Sequence, residues 1–101
     1  MAGYRLSAAA AKDLTGIKHY SVANFGRSRA NAYLQDMRDR MRWLAVGPRR
    51  GKARDNLLLG LFSYRQDSHV IYYRVGKARI EIVRVLHQRM DPLRHLTQNE
   101  G

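Results

Sequence analysis

The sequence predicts an α+β domain with an N-terminal strand, a two-helix hairpin packed on a small antiparallel sheet, and a short C-terminal helix. Three observations predict it. Apolar residues recur at helical spacing between Ser7 and Gly47, and the period changes to that of strands between Leu57 and Leu86. Glycine and proline punctuate the chain at Gly26, Gly47-Pro48 and Gly76. Helices that precede the strands, rather than alternating with them, belong on one side of the sheet. At 101 residues the chain reads as a single domain, 1–101.

Each element has a local reason. Tyr4-Arg5-Leu6 is a short strand, and Ser7 stands where an N-cap belongs, its hydroxyl able to accept an amide hydrogen of the first turn. Ala10, Leu14, Ile17 and Ser21 follow at helical spacing with Tyr20 beside them, and Gly26 stands where a left-handed cap is expected. A second helix aligns Ala30, Tyr33, Leu34, Met37, Met41 and Leu44 on one face. Its other face offers Asp36 to Arg40 and Asp39 to Arg42 as ion pairs, each worth about 0.2–0.5 kcal/mol. Gly47-Pro48 ends it. A basic loop, Arg49 to Arg54, leads to an expected strand over Leu57 to Tyr64, bent at Gly60.

Val70 to Val75 and Ile80 to Leu86 are rich in β-branched and aromatic residues. Gly76-Lys77 between them suits a two-residue turn with a positive φ at the glycine. That register puts Ile71, Tyr73, Val75, Ala78, Ile80 and Ile82 on one apolar face, toward the helices. The opposite face carries Val70, Tyr72, Arg74, Arg79, Glu81, Val83, Val85 and His87. It is too apolar for a face meant only for water, so a cover is expected. Asp91 caps a last helix that starts at Pro92.

Charge is the strongest compositional feature. Nineteen Lys+Arg against eight Asp+Glu give +11, and fifteen of the nineteen are arginine. Such a field attracts polyanions and acidic proteins, and the planar arginine fork favours specific pairing with carboxylate or phosphate. Charge alone does not separate nucleic acid from an acidic protein. No cysteine is present, which removes disulfides and thiolate metal sites. No apolar run approaches the roughly 20 residues of a membrane span. Ala8 to Ala11 give way at once to Lys12-Asp13, so no signal peptide is read there. The expectation is a cytoplasmic protein with no membrane partner.

Familiar catalytic motifs fail. Gly47-x-x-x-Gly51-Lys52-Ala53 is one residue short of a phosphate-binding loop, lacks the Ser/Thr that holds Mg²⁺, and precedes a strand. His19, His69, His87 and His95 are never three or four apart, so no paired-histidine metal site is read and no cofactor is expected. Glu81 and Glu100 are the only glutamates, and no acid/base carboxylate pair is supported. Metal-free RNA cleavage remains as the enzymatic alternative, with Lys52, Arg84 and His87, and Arg89 beside them, supplying suitable chemistry. Against it, a histidine at a strand end is ordinarily a hydrogen-bonded structural residue. Arg84 reads equally as a paired structural arginine, with Asp67 or Asp91 as its partner.

One set of residues forms a pattern along the chain: Tyr4-Arg5-Leu6-Ser7 with Ala9, Asp13-Leu14, Gly47-Pro48, Gly51, Arg54-Asp55, Leu57, Gly60 and His69-Val70-Ile71-Tyr72-Tyr73-Arg74-Val75. Its most specific block is Ile82-Val83-Arg84-Val85-Leu86-His87-Gln88-Arg89-Met90-Asp91 with Arg94-His95-Leu96. In these residues the chain resembles the ParE branch of the RelE/ParE toxin superfamily of type II toxin–antitoxin modules. The resemblance implies a toxin that inhibits DNA gyrase by binding and is held inactive by a ParD-like antitoxin. Operator DNA would then be reached only through that antitoxin. The RelE branch instead cleaves mRNA on the ribosome, and the shared fold does not choose between them. The Leu86-to-Asp91 ending, with no tyrosine after the last strand, favours the ParE side and a docking role for His87.

Site expectations follow from the resemblance and from the half-apolar face. Target contacts are expected at Arg84, His87, Arg89, Met90 and Arg94. Antitoxin contacts are expected at Phe25, Trp43, Tyr72, Arg74, Val83 and Val85, with core packing as the other reading of Trp43.

Overall fold

The computed structural model describes residues 3–96; Glu100 and the ends of the 1–101 span lie outside them. Strand β1 (Tyr4–Leu6) leads into helices α1 (Ala8–Phe25) and α2 (Arg27–Val46). A 3-10 turn (Pro48–Arg50) and strands β2 (Lys52–Ala53), β3 (Leu61–Gln66), β4 (His69–Val75) and β5 (Ile80–His87) follow, then helix α3 (Pro92–Leu96). The five strands run in the order β1-β5-β4-β3-β2. Only β1 lies parallel to its neighbour, pairing Tyr4 with Ile80 and Leu6 with Ile82. The rest is antiparallel.

The hairpin is built as its spacing requires. Ser7 Oγ accepts the Ala10 amide at 3.0 Å and donates to the Val83 carbonyl at 2.7 Å. One hydroxyl thus caps α1 and ties its start to β5. Ala10, Leu14 and Ile17 of α1 meet Leu34, Met37, Met41 and Leu44 of α2 over Ile71, Tyr73, Ile80 and Ile82 of the sheet. Gly26 joins the helices with φ 90° and ψ 163°, so its φ is positive but its ψ is extended rather than left-handed helical. Its N–H donates to Val22 O and its carbonyl accepts from Ala30, so one residue ends one helix and starts the next. Of the two ion pairs expected on α2, Arg42–Asp39 forms at 2.9 Å. Arg40 turns away from Asp36 and donates to Gln66 Oε1 at 3.0 Å.

The strand expected over Leu57 to Tyr64 begins only at Leu61. Residues 55–60 form a turn instead, because Leu57 and Leu58 donate back to Arg54 O and Asp55 Oδ1 accepts the Gly60 N–H. The hairpin turns also differ from expectation. Val75 pairs with Ile80, so β4 and β5 are joined by four residues, Gly76–Arg79, and Gly76 keeps a φ outside the positive region. Val75 and Ala78 are exposed rather than packed under the helices. The two-residue turn is Asp67–Ser68 between β3 and β4, where Asp67 takes φ 53°, a conformation that aspartate tolerates.

A bulge resets β5. Tyr73 faces Ile82 but Tyr72 faces Arg84, which leaves Val83 as an extra residue. Beyond it the alternation flips: Val85, expected on the outer face, packs under the helices. Arg84 leaves that face, and Leu86 joins Leu61, Tyr72 and Leu96 in a second cluster on the other side. Leu57, Leu58, Val70 and Val83 pack against this cluster. The cover that the outer face required is therefore supplied in part by this chain's own 55–60 turn and α3.

Candidate functional site

Arg84 is the most deeply committed cation of the chain. Its Nε donates to Asp13 Oδ2 at 2.8 Å, its Nη2 to Asp13 Oδ1 at 2.9 Å and its Nη1 to His95 O at 3.0 Å. Only 9% of the residue is exposed. Its hydrogen bonds to Asp13, opposed by burial, hold the guanidinium above its ordinary pKa. Asp13 has a further duty. Strand β1 pairs with β5 only as far as Ile82, and Asp13 Oδ2 accepts the Val85 amide at 2.9 Å on the edge beyond. Asp13, not Asp67 or Asp91, is therefore the partner of Arg84, and Asp91 Oδ1 accepts the Leu93 N–H instead. Each nitrogen of the Arg84 fork, expected at a target or a scissile phosphate, donates at least once inside the fold.

His87 is half-buried at the end of β5. Its Nδ1 accepts the Arg89 N–H at 3.2 Å, and its own backbone N–H points at Met90 Sδ, 3.3 Å away. Across the strand pair its ring meets His69 edge-to-face at 5.4 Å. His69 Nδ1 lies 2.7 Å from Tyr33 Oη, and burial, followed by the neighbouring His87, depresses the His69 pKa below its ordinary value. Lys52 sits on β2 at the far edge of the sheet. Three strand spacings, about 14 Å, separate β2 from β5. Lys52, Arg84 and His87 are therefore not brought together.

What the fold does gather is an apolar groove of about 850 Å³. Ile17, Tyr20 and Phe25 of α1 form one wall and Tyr33 of α2 another, with Val85, His69 and His87 from the sheet and Met90 beyond it. Tyr20 and Phe25 are 65% and 57% exposed, large rings open to water on a helix whose other side is core. Lys12, Arg29 and Asp36 provide charge along the groove.

The expected contact residues fall into separate groups. Phe25, His87 and Met90 line the groove. Trp43 lies toward the C-terminal end of α2, its ring 5.3 Å from Tyr64 and bearing the guanidiniums of Arg40 and Arg50. Tyr72 and Val85 are only 4% and 3% exposed, so neither is open to a partner in the isolated chain. Val83 is half-covered beside Leu96. Arg74 is exposed opposite Glu81, and Arg89 and Arg94 are exposed near the C-terminal end. Sequence reasoning missed Asp13, Tyr20, Tyr33 and His69 as site residues. Tyr20 carried a signal, an aromatic just off the apolar stripe of α1. Asp13, the one acid of that helix, carried another.

Fold and site together describe a small basic α+β protein that presents an apolar groove between a helical hairpin and a sheet end. No helix among the described residues is long and apolar enough to cross a membrane. The family model for the ParE toxin of the type II toxin–antitoxin system parDE matches residues 4–92, and the chain belongs to that family. Among curated relatives, Toxin ParE1 of Caulobacter vibrioides is 40% identical over 96 residues, covering 95% of this chain and 99% of the relative. Toxin ParE1 of Mycobacterium tuberculosis is 38% identical over 94 residues, covering 92% and 96%. A solved structure described as the chromosomal ParDE TA system from P. aeruginosa shares the fold with a TM-score of 0.74. It is 22% identical and covers 86% of this chain and 96% of that one.

Proposed function

We propose that the chain is a toxin that inhibits DNA gyrase by binding rather than by chemistry, and that a ParD-like antitoxin neutralises it from the apolar groove. The gyrase target follows from the family resemblance of the C-terminal block. The binding mode rests on one observation: Arg84 is spent on Asp13, and Lys52 and His87 stand on distant strands. General acid/base work on a phosphodiester needs a base, an acid and cations within hydrogen-bond reach of one phosphate.

The groove suits an amphipathic helix laid with its apolar face against Tyr20, Phe25 and Ile17. Acidic residues on the flanks of such a segment would meet a chain of formal charge +11. His87 and Met90 belong both to the groove and to the stretch expected to meet the target. An occupant of the groove therefore masks part of the target surface, which gives neutralisation by occlusion. A supercoiling assay with purified protein, run beside a ribosome-bound mRNA cleavage assay, tests the reading. Loss of supercoiling without mRNA cleavage is expected. Cleavage without any effect on gyrase overturns it.

A further inference from the structure

We propose that the surface made by the C-terminal end of α2, the 3-10 turn and β2 binds the phosphate backbone of a single-stranded nucleic acid. Residues 40–54 contain no carboxylate, yet they carry Arg40, Arg49, Arg50 and Lys52. The neighbouring strand β3, Leu61–Gln66, adds none. Among the described residues the ion pairs are Arg42–Asp39 and Arg84–Asp13, and neither takes up any of these four cations.

Two of them are already ordered. The Arg50 guanidinium lies 4.4 Å from the centre of the Trp43 ring while its Nη1 donates to Trp43 O at 2.8 Å. That of Arg40 lies 4.7 Å from Trp43 and 5.1 Å from Tyr64, anchored through Nε to Gln66 Oε1. A guanidinium held against a ring keeps its remaining N–H groups for phosphate oxygens and its outer plane for a base. Ordering made in advance is not lost again on binding.

The chemistry favours a nucleic acid over an acidic peptide. A peptide needs apolar pockets for its anchors, and here the indole is overlaid by cations. A polyphosphate chain needs charge at intervals and planar groups to stack on, which this surface has. The groove lined by Phe25 and Tyr33 draws on the N-terminal part of α2 instead, so this surface is separate from it.

Trp43 is the only tryptophan, so its emission reports on this surface directly. The purified chain is titrated with a single-stranded oligonucleotide at several salt concentrations, following Trp43 emission and the anisotropy of the labelled strand. Saturable quenching is expected, with log affinity falling linearly in log salt. The Arg50→Gln/Lys52→Gln variant should lower that slope by about 1.4, at roughly 0.7 for each lost phosphate contact. Lys18→Gln/Arg27→Gln removes the same charge from the exposed hairpin and should leave the slope unchanged, with circular dichroism confirming both folds. Equal loss of slope in the two variants would mean a diffuse field and overturn the proposal. A polyglutamate of matched length that quenches Trp43 as tightly at the same salt would make this an acidic-protein surface and overturn it too. Absence of quenching by the oligonucleotide does the same.

Discussion

Asp13 of α1 grips Arg84 of β5 through two hydrogen bonds of 2.8 and 2.9 Å, and the same carboxylate accepts the Val85 amide. The pair is separated by 71 residues of sequence. It fixes the first helix against the strand that carries the family's most specific block. Both side chains are largely withdrawn from water, so removing either leaves the other charge buried without its counterpart.

Asp13→Asn should therefore destabilise the fold strongly, by about 3 kcal/mol, within the range for breaking a buried pair. The new amide also turns N–H groups toward the guanidinium. Urea denaturation measures the loss. Arg84→Met in the Asp13→Asn background should recover part of it, because the unpaired cation is gone. A double variant less stable than Asp13→Asn would mean that Arg84 stabilises by packing rather than by charge.

The groove makes a separate prediction. Phe25→Asp places a charge where an apolar partner surface is expected, and at 57% exposure the change costs the isolated fold little. Antitoxin affinity should fall at least 30-fold, about 2 kcal/mol, as for a central interface anchor. The variant should remain folded and toxic but escape neutralisation. Co-purification with the antitoxin, beside growth curves with and without it, checks both halves. Unaltered capture would move the antitoxin off the groove.

At the end of β5 the contrast lies between proton chemistry and docking. His87→Gln keeps a hydrogen-bonding side chain where Nδ1 meets the Arg89 N–H, and it should stay toxic. Loss of a true general acid or base would lower the rate about 10²–10⁴-fold. Arg89→Glu reverses an exposed charge at the proposed target surface and should weaken inhibition strongly. Growth inhibition and in vitro supercoiling read both variants. An inert, folded His87→Gln beside a fully toxic Arg89→Glu would make this strand end a catalytic site.

The histidine pair predicts acid sensitivity. His69 is held below its ordinary pKa, first by burial and then by His87, against the smaller opposing pull of Asp13 and Asp67. A depressed histidine favours the neutral form in the folded state. Its contribution is present above the unfolded pKa of about 6.5 and is lost as pH falls through the lower folded value. Urea midpoints should drop as pH falls below about 6.5, and His69→Gln should flatten that part of the profile. A profile unchanged by the substitution would assign the drop to other groups.

Periodicity and capping chemistry were enough to read the helical hairpin, because both act within one turn of the chain. Ala10, Leu14 and Ile17 are buried, as are Leu34, Met37, Met41 and Leu44, and Ser7 caps α1 through its hydroxyl. The β4 and β5 strands were legible for the same reason, since branched and aromatic residues favour a pleated, half-buried surface wherever it lies. The faces of those strands were not. The bulge at Val83 depends on which residue of β4 stands opposite. Its carbonyl is held by Ser7, 76 positions away, and the next exposed edge is closed by Asp13. Alternation counted along one strand cannot register a partner that remote. One extra residue sends Val85 to the helices and puts Arg84 opposite Tyr72 on the other face, from which its guanidinium reaches Asp13. The same limit hid the groove, whose walls come from both helices and two strands. Residue type determined which chemistry was available to this chain. Long-range pairing decided that Arg84 was spent internally and that Tyr20, Phe25 and His87 faced one cavity.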